Sequence, residues 1–374
     1  MTVDARNAAL YHTDGFPPVA LDHARLLPEL LAATEALARY DQALRGMHNS
    51  EIFLAPLRGQ EAVISSRMEG TISTLDEILQ VDAEFGEDDA SAATEYRSDV
   101  IETVLYRRVL NTAQRQMEQG YPLSESLLKS IHRQLLSFGR GARKSPGLYK
   151  REQNYVGATG SREVSFVPIA PEHLATGMEV LFRLIGDGSM PILLRTALAH
   201  AEFEALHPFE DGNGRVGRML ITLMLWEGRA IYAPHFYISR YFESLKDDYI
   251  ARLRAVSAQG DWEGWCRFFF EAVRAQAVFN LDITQGIRDC YEAMKPRFAE
   301  LLASKHSVAA LDYLFTRPVF SNSHFPRAAG IPPQTAARFT RVLLQEGLLQ
   351  TVREPAGRRP AIYRFEPLME RVRV

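Results

Sequence analysis

Helical period runs through almost the whole chain and is interrupted once. Apolar residues recur at three- and four-residue steps in "VALDHARLLPELLAATEALARYDQAL" (19–44) and "APLRGQEAVISSRME" ending at Gly70. The same pattern continues through 91–118, 124–138, 190–206, 216–228, 239–258 and 261–303. That spacing keeps one helix face apolar and limits the chain to a mainly α fold. Pro28 marks a break or a new first turn. Gly70 is a natural C-cap, and Thr74-x-x-Glu77 is a capping box that starts the next helix. The interruption is "GLYKREQNYVGATGSREVSFVPIAPEHL" (147–174), where two β-prone pieces enclose a Gly-rich turn. It reads as a β-hairpin flap, residues 154–168, set into a helical domain.

A length of 374 residues allows two or three domains. The reading divides them as a helical region 1–110, a core 111–300 and a small C-terminal domain 301–374. In the last, "SVAALDYLFTR" is a helix. "NSHFPRAAG" and "PQTAARFTRVLLQEGLL" make helix, turn at Gly330 and helix, and "LQTVREPAGRRPAIYRF" makes strand, turn, strand. This is the winged-helix pattern. Arg338, Arg341, Arg358 and Arg359 can meet phosphates there, but DNA binding is not the favoured reading. A dimerisation or docking module would leave the same arginines in solvent.

A net charge of -3 argues against a nucleic-acid coat or polybasic membrane binder. The two cysteines, Cys266 and Cys290, exclude a disulfide framework or zinc ribbon. The start shows no secretory signal, and Thr2 stands where myristoylation needs glycine. The C-terminal "VRV" carries no prenyl site. "MLITLMLW" (219–226) is too short to span a bilayer. The expectation is a soluble cytoplasmic protein that does not engage a membrane.

"HPFEDGNGRVGR" (207–218) concentrates the chemistry. Gly212-x-Gly214-x-x-Gly217 matches a dinucleotide fingerprint in form only, because helical period precedes it and no acid follows at the right distance. Val216 stands where a calcium loop needs glycine, and there is no P-loop. The glycines free the backbone for a tight turn. A helix starting near Arg215 or Val216 then offers unpaired amides to an anion. Asn213 can add an amide, and Arg215 and Arg218, three apart, can reach one polyphosphate. Asp211 fits if Mg²⁺ bridges it to phosphate. His207 is placed as a base for a hydroxyl, and Phe209 as a core anchor.

The stretch resembles the Fic family signature H-x-F-x-D/E-G-N-G-R-x-x-R at every fixed position: His207, Phe209, Asp211, Gly212, Asn213, Gly214, Arg215 and Arg218. The resemblance implies a Fic-type helical core and transfer of AMP from ATP to a Ser, Thr or Tyr hydroxyl of a protein. The chain itself is one candidate acceptor. By position, His207 would be the base and Asp211 would hold Mg²⁺. Gly212, Asn213, Gly214, Val216 and Gly217 would line the phosphates, and Arg215 and Arg218 would bind them. The flap would dock the acceptor as an added strand through Asn154, Val156, Gly157, Phe166 and Val167. "SSRMEG" also resembles the family's inhibitory-helix pattern through Ser65, Glu69 and Gly70. A carboxylate in a last helical turn opposes the dipole, so Glu69 calls for a cation. The resemblance makes that cation Arg218, in competition with the ATP γ-phosphate, and puts Glu69 at the nucleotide. Ser244 stands where the family often has asparagine near adenine, and Tyr249-Ile250 where it has paired tyrosines. Alternatives to an autoinhibited adenylyltransferase are the reverse enzyme, removing AMP from a modified protein, and a nucleotide-sensing winged-helix regulator. A homodimer is open in either case.

Overall fold

The structure is a computed structural model that describes residues 5–46, 49–86, 96–157, 163–357 and 359–373. Arg358 and the flap turn at 158–162 lie outside them. In chain order the elements begin with β1 (Ala9–Leu10), α1 (His23–Arg45), α2 (Glu51–Met68), α3 (Leu75–Phe85), α4 (Ser98–Glu118) and α5 (Glu125–Leu135). The flap strands β2 (Val156–Gly157) and β3 (Val164–Val167) follow, then α6 (Pro171–Ile185), α7 (Ile192–Leu206), α8 (Asn213–Glu227), α9 (Ser239–Ser244), α10 (Lys246–Gln259) and α11 (Trp262–Leu302). The chain continues through α12 (Ser307–Thr316), β4 (Val319–Ser321), α13 (Phe325–Ala328), α14 (Pro333–Gln345), β5 (Leu349–Arg353), β6 (Ile362–Phe365) and α15 (Glu366–Val372).

The fold is mainly α, with the expected hairpin. The elements differ from the sequence reading at several points: the run 239–258 divides into α9 and α10, and α6 and α15 are additional helices. Pro28 does not break α1, which runs through it at the loss of one main-chain hydrogen bond. And α8 starts at Asn213, because Gly212 takes the left-handed conformation (φ 78°) and turns the chain straight into it.

The contacts divide the chain into two compact units, 1–41 with 109–278, and 42–108 with 279–374. In the first unit α7 is buried on nearly all sides, packed by α6, α8 and α10. A helix apolar all round belongs at the centre of a core. Trp265 from α11 is fully buried and satisfies its indole N–H on the Ala197 carbonyl of α7, at 2.8 Å. Gly217 lets α7 and α8 approach closely: a Cβ there would stand 2.4 Å from Glu204 Oε1 and 3.1 Å from Phe203 Cδ1. β3 is the middle strand of a small sheet, antiparallel to β2 and parallel to β1.

In the second unit α2 packs against α3, α12 and α15. Its C-terminus is a Schellman cap: Gly70 takes φ 83° and Thr71 N–H reaches back to the Ser66 carbonyl at 3.1 Å. Ser65 is fully buried and Glu69 half-buried. The Thr74–Glu77 capping box forms in both directions. The last elements run helix, strand, two helices, strand, strand, with the antiparallel sheet ordered β4-β6-β5.

Candidate active site

The loop 207–212 joins the two central helices of the first unit. His207 ends α7 with φ 45° and ψ 61°, a left-handed conformation that costs a residue with a Cβ roughly 1–2 kcal/mol. It therefore needs neighbours that hold it. Asn213 supplies one clasp. Its Oδ1 accepts from Phe209 N–H at 2.9 Å and its Nδ2 donates to the Phe209 carbonyl at 2.8 Å. The sequence reading gave Asn213 an amide for an anion, and the structure adds this closure of the loop by the same side chain. Phe209 is fully buried and stacks on His132 with ring centroids 3.7 Å apart.

His132 is a residue the sequence reading missed. Its Nδ1 accepts from Gly147 N–H at 2.8 Å, so Nε2 carries the proton and donates to the Asp211 carbonyl at 2.9 Å. Burial pulls its imidazolium down to about 4, so the neutral ring this clasp requires is the one favoured at neutral pH. The available signal was a histidine on the buried face of α5, beside Leu128 and Ile131, where a polar ring needs partners. His200 is a second buried case. Its Nε2 accepts from Tyr249 Oη at 2.9 Å and its Nδ1 donates to the Gly217 carbonyl at 3.2 Å. Burial first, then the charge of Arg218, lower it to about 3.

Arg215 and Arg218 lie in the first two turns of α8, both buried. Asp211 Oδ1 is 3.6 Å from Arg215 Nη2, so the carboxylate also has a structural partner. About a third of its side chain is exposed. No group of three or more metal-ligating side chains occurs among the described residues. A lone, accessible carboxylate still fits Mg²⁺, which takes one or two protein carboxylates and completes its shell with water and phosphate. Gly214 is partly exposed at the helix start, while Gly212, Val216 and Gly217 are buried.

The flap residues separate. Phe166 is buried, and both Phe166 and Val167 pair with β1 through Ala9 and Leu10. Val156 and Gly157 lie on β2, an outer strand of the sheet. Asn154 turns its amide to the loop, donating to the His207 and Phe209 carbonyls at 3.0 Å each. Ser244 ends α9, exposed, with its hydroxyl on the Tyr241 carbonyl at 2.8 Å. Tyr249 is buried against His200, and Ile250 is exposed. A further cluster had no sequence signal. Tyr11 Oη donates to Glu202 Oε1 at 2.7 Å, and His12 Nε2 lies 2.8 Å from Glu202 Oε2. The N-terminal segment is thereby tied to α7 as well as to the flap.

Comparison with known proteins agrees with this architecture. The chain matches the Fic/DOC family over residues 122–225 and the Fic/DOC family N-terminal region over 27–115. It is similar to a protein adenylyltransferase of Caenorhabditis briggsae, 31% identical over 29% of this chain and 20% of that protein. It is also similar to a probable protein adenylyltransferase of Aquifex aeolicus, 23% identical over 45% of this chain and 55% of that one. The protein adenylyltransferase Fic of Drosophila virilis is 27% identical over 66% of this chain and 47% of its own length. The chain thus spans about a fifth to just over half of these relatives. Its fold resembles that of a Fic family protein from Desulfovibrio desulfuricans, with TM-score 0.57, 16% identity and coverage of 93% of this chain and 98% of that one. A Fic domain containing signalling protein from Bacteroides thetaiotaomicron follows at TM-score 0.53 and 19% identity, over 68% of this chain and 96% of that one. With the signature complete on its α7–loop–α8 frame and both family regions matched in order, the chain belongs to the Fic/DOC family.

Proposed function

We propose that the chain is a protein adenylyltransferase that moves AMP from ATP to a Ser, Thr or Tyr hydroxyl of a protein. The observation that carries this reading is the complete signature at the N-terminus of a buried helix, with two buried arginines in its first two turns behind a left-handed His207. The helix start and Arg215 hold the inner phosphates, and Arg218 holds the γ-phosphate. The His207 imidazole takes the proton of the acceptor hydroxyl. The hydroxyl oxygen attacks the α-phosphorus, the bond from that phosphorus to the bridging oxygen breaks, and pyrophosphate leaves. Charge growing on the phosphate oxygens is met by donors already in place, so little reorganisation is needed. Asp211 is the residue that would hold Mg²⁺, whose chemistry is neutralisation of phosphate charge.

Glu69 is the proposed brake, acting through Arg218. Its support is the "SSRMEG" pattern ending at the capped terminus of α2, where a carboxylate opposes the helix dipole. Residues 301–374 are proposed as a winged helix from their element order, with an acceptor protein as the expected partner of the flap. The experiment is self-labelling of the full chain with α-labelled ATP. Glu69→Gly should raise the label and His207→Ala in that background should abolish it. Equal label with and without His207 would sink the mechanism.

A further inference from the structure

Four successive carbonyls of the loop that carries His207 are held by two residues at the base of the flap. Lys150 Nζ donates to the Leu206 carbonyl at 3.0 Å, and the Lys150 main-chain N–H to the Pro208 carbonyl at 2.8 Å. Asn154 Nδ2 donates to the carbonyls of His207 and Phe209. Asn154 Oδ1 accepts from Lys150 Nζ at 2.7 Å, which settles the way the amide faces and commits both of its hydrogens to the loop. All four carbonyl dipoles are therefore directed at residues 150–154. His207 keeps its left-handed conformation with its carbonyl anchored. Lys150 is buried, so its ammonium or amine cannot trade these partners for water.

The same segment leads directly into β2, which starts at Val156, two residues after Asn154. β3 already has β1 on its other side, so β2 keeps the outer edge on the described hairpin. An extended acceptor added there would be held by a strand whose root grips the carbonyl of the base itself.

We propose that Lys150 and Asn154 are positioning residues that fix the register between an acceptor strand on β2 and the His207 imidazole. This rests on the adenylyl-transfer reading. The pair touches neither nucleotide nor acceptor. It acts on the turnover step, through the loop, and leaves ATP affinity to α8. A merely structural pair would instead lower stability and ATP affinity together.

The test uses the full chain in the Glu69→Gly background, with self-labelling by α-labelled ATP. Asn154→Asp keeps size and shape but donates to neither carbonyl, and kcat should fall about 10- to 100-fold, as for a misplaced base. KM for ATP should stay within about threefold, the split expected when an interaction serves only the transition state. Lys150→Met, which keeps its main-chain bond to Pro208, should fall less, and Lys150→Arg should recover part of the loss. An unchanged kcat in Asn154→Asp overturns the proposal, as does a KM that rises in step with the loss of kcat. Hydrogen exchange without nucleotide reads the clamp directly. Amides of 207–213 should exchange faster in Asn154→Asp and in Lys150→Met, and unchanged protection in both overturns the proposal whatever the activity. A Glu69→Gly parent that never labels with ATP sinks the transfer reading and leaves the exchange result to decide the clamp.

Discussion

In the first unit a buried histidine, a lysine and two asparagines spend their hydrogen bonds on main-chain atoms of residues 206–213. In the second, Arg364 and Arg373 spend theirs on the carboxylates of Asp76 and Glu366, and Arg353 pairs with Glu84. The first kind of bond is directional, buried and made to groups that cannot move without moving the backbone. It specifies the coordinates of a loop. The second joins flexible, partly exposed side chains and tolerates small shifts of the elements they connect. A loop that must hold His207 in an unfavourable backbone conformation calls for the first kind. A unit that carries a helix cap and a small sheet can add the second kind to buried bonds such as that from Gln60 Nε2 to the Val372 carbonyl at 2.8 Å.

The largest expected effect removes the centre of the first network. Phe209→Ala deletes a fully buried ring and the face on which His132 lies, which should cost about 3–5 kcal/mol in urea unfolding. Phe339→Ala in α14 removes an equally buried ring from the second unit and should cost a similar amount. The two should part in activity. In the Glu69→Gly background, at a temperature where both variants are folded, Phe209→Ala should lose self-labelling and Phe339→Ala should keep it. Equal loss in both would dissolve the distinction between a coordinate-setting core and an ordinary one.

Much of this division was legible in the sequence. Period located most helices of both units, since an apolar face must be buried wherever it lies, but it left α6 and α15 unread. Gly70 and Thr74 marked helix limits because caps are local chemistry. The fixed residues 207–218 announced a turn into a helix for the same reason, and α8 starts within them. What the sequence hid is long-range partnership. His132 meets Asp211 across 79 positions and Tyr11 meets Glu202 across 191, and no local spacing encodes either. Asn154 was read as an acceptor contact from the flap's resemblance to a docking hairpin. Its side-chain amide faces the loop, a direction set by how the flap base packs. Phe166 looked available on a strand, yet a neighbour strand and the core claim it.

Acid should separate the units next. His132 and His200 have folded values near 4 and 3, below the ordinary 6.5, so the unfolded chain binds more protons in that interval. Stability of the first unit must then fall as pH drops from about 6.5 through those values. For His132 alone, a shift from 6.5 to about 4 amounts to about 3 kcal/mol at full protonation. Burial works to raise Asp76, but hydrogen bonds and charge from Arg373 and Arg364 outweigh it and leave it below its ordinary 3.8. Its contribution is complete above that value and is lost only as pH falls below it. Hydrogen exchange followed downward in pH should show protection at Gly147 and in α5 weakening before protection in α3 and β6. The opposite order would break the comparison.

Salt should give the smallest effect and the opposite selectivity. Asp76 meets Arg364 at 2.8 Å and Arg373 at 3.0 Å, and Glu366 meets the same two arginines at 2.7 Å each. The arginines are a quarter to a third exposed, so water and ions screen these attractions. Arg373→Ala should therefore cost no more than about 1 kcal/mol, within the range of exposed pairs. Most of that difference should vanish at about 1 M NaCl, where the screening length is about 3 Å. Asn154→Ala, measured the same way, should keep its full cost in salt, because a neutral amide on a carbonyl has no net charge to screen. If Arg373→Ala is as costly in salt as without it, the network is a packed structural joint, and the contrast drawn between the units fails on the side of the second.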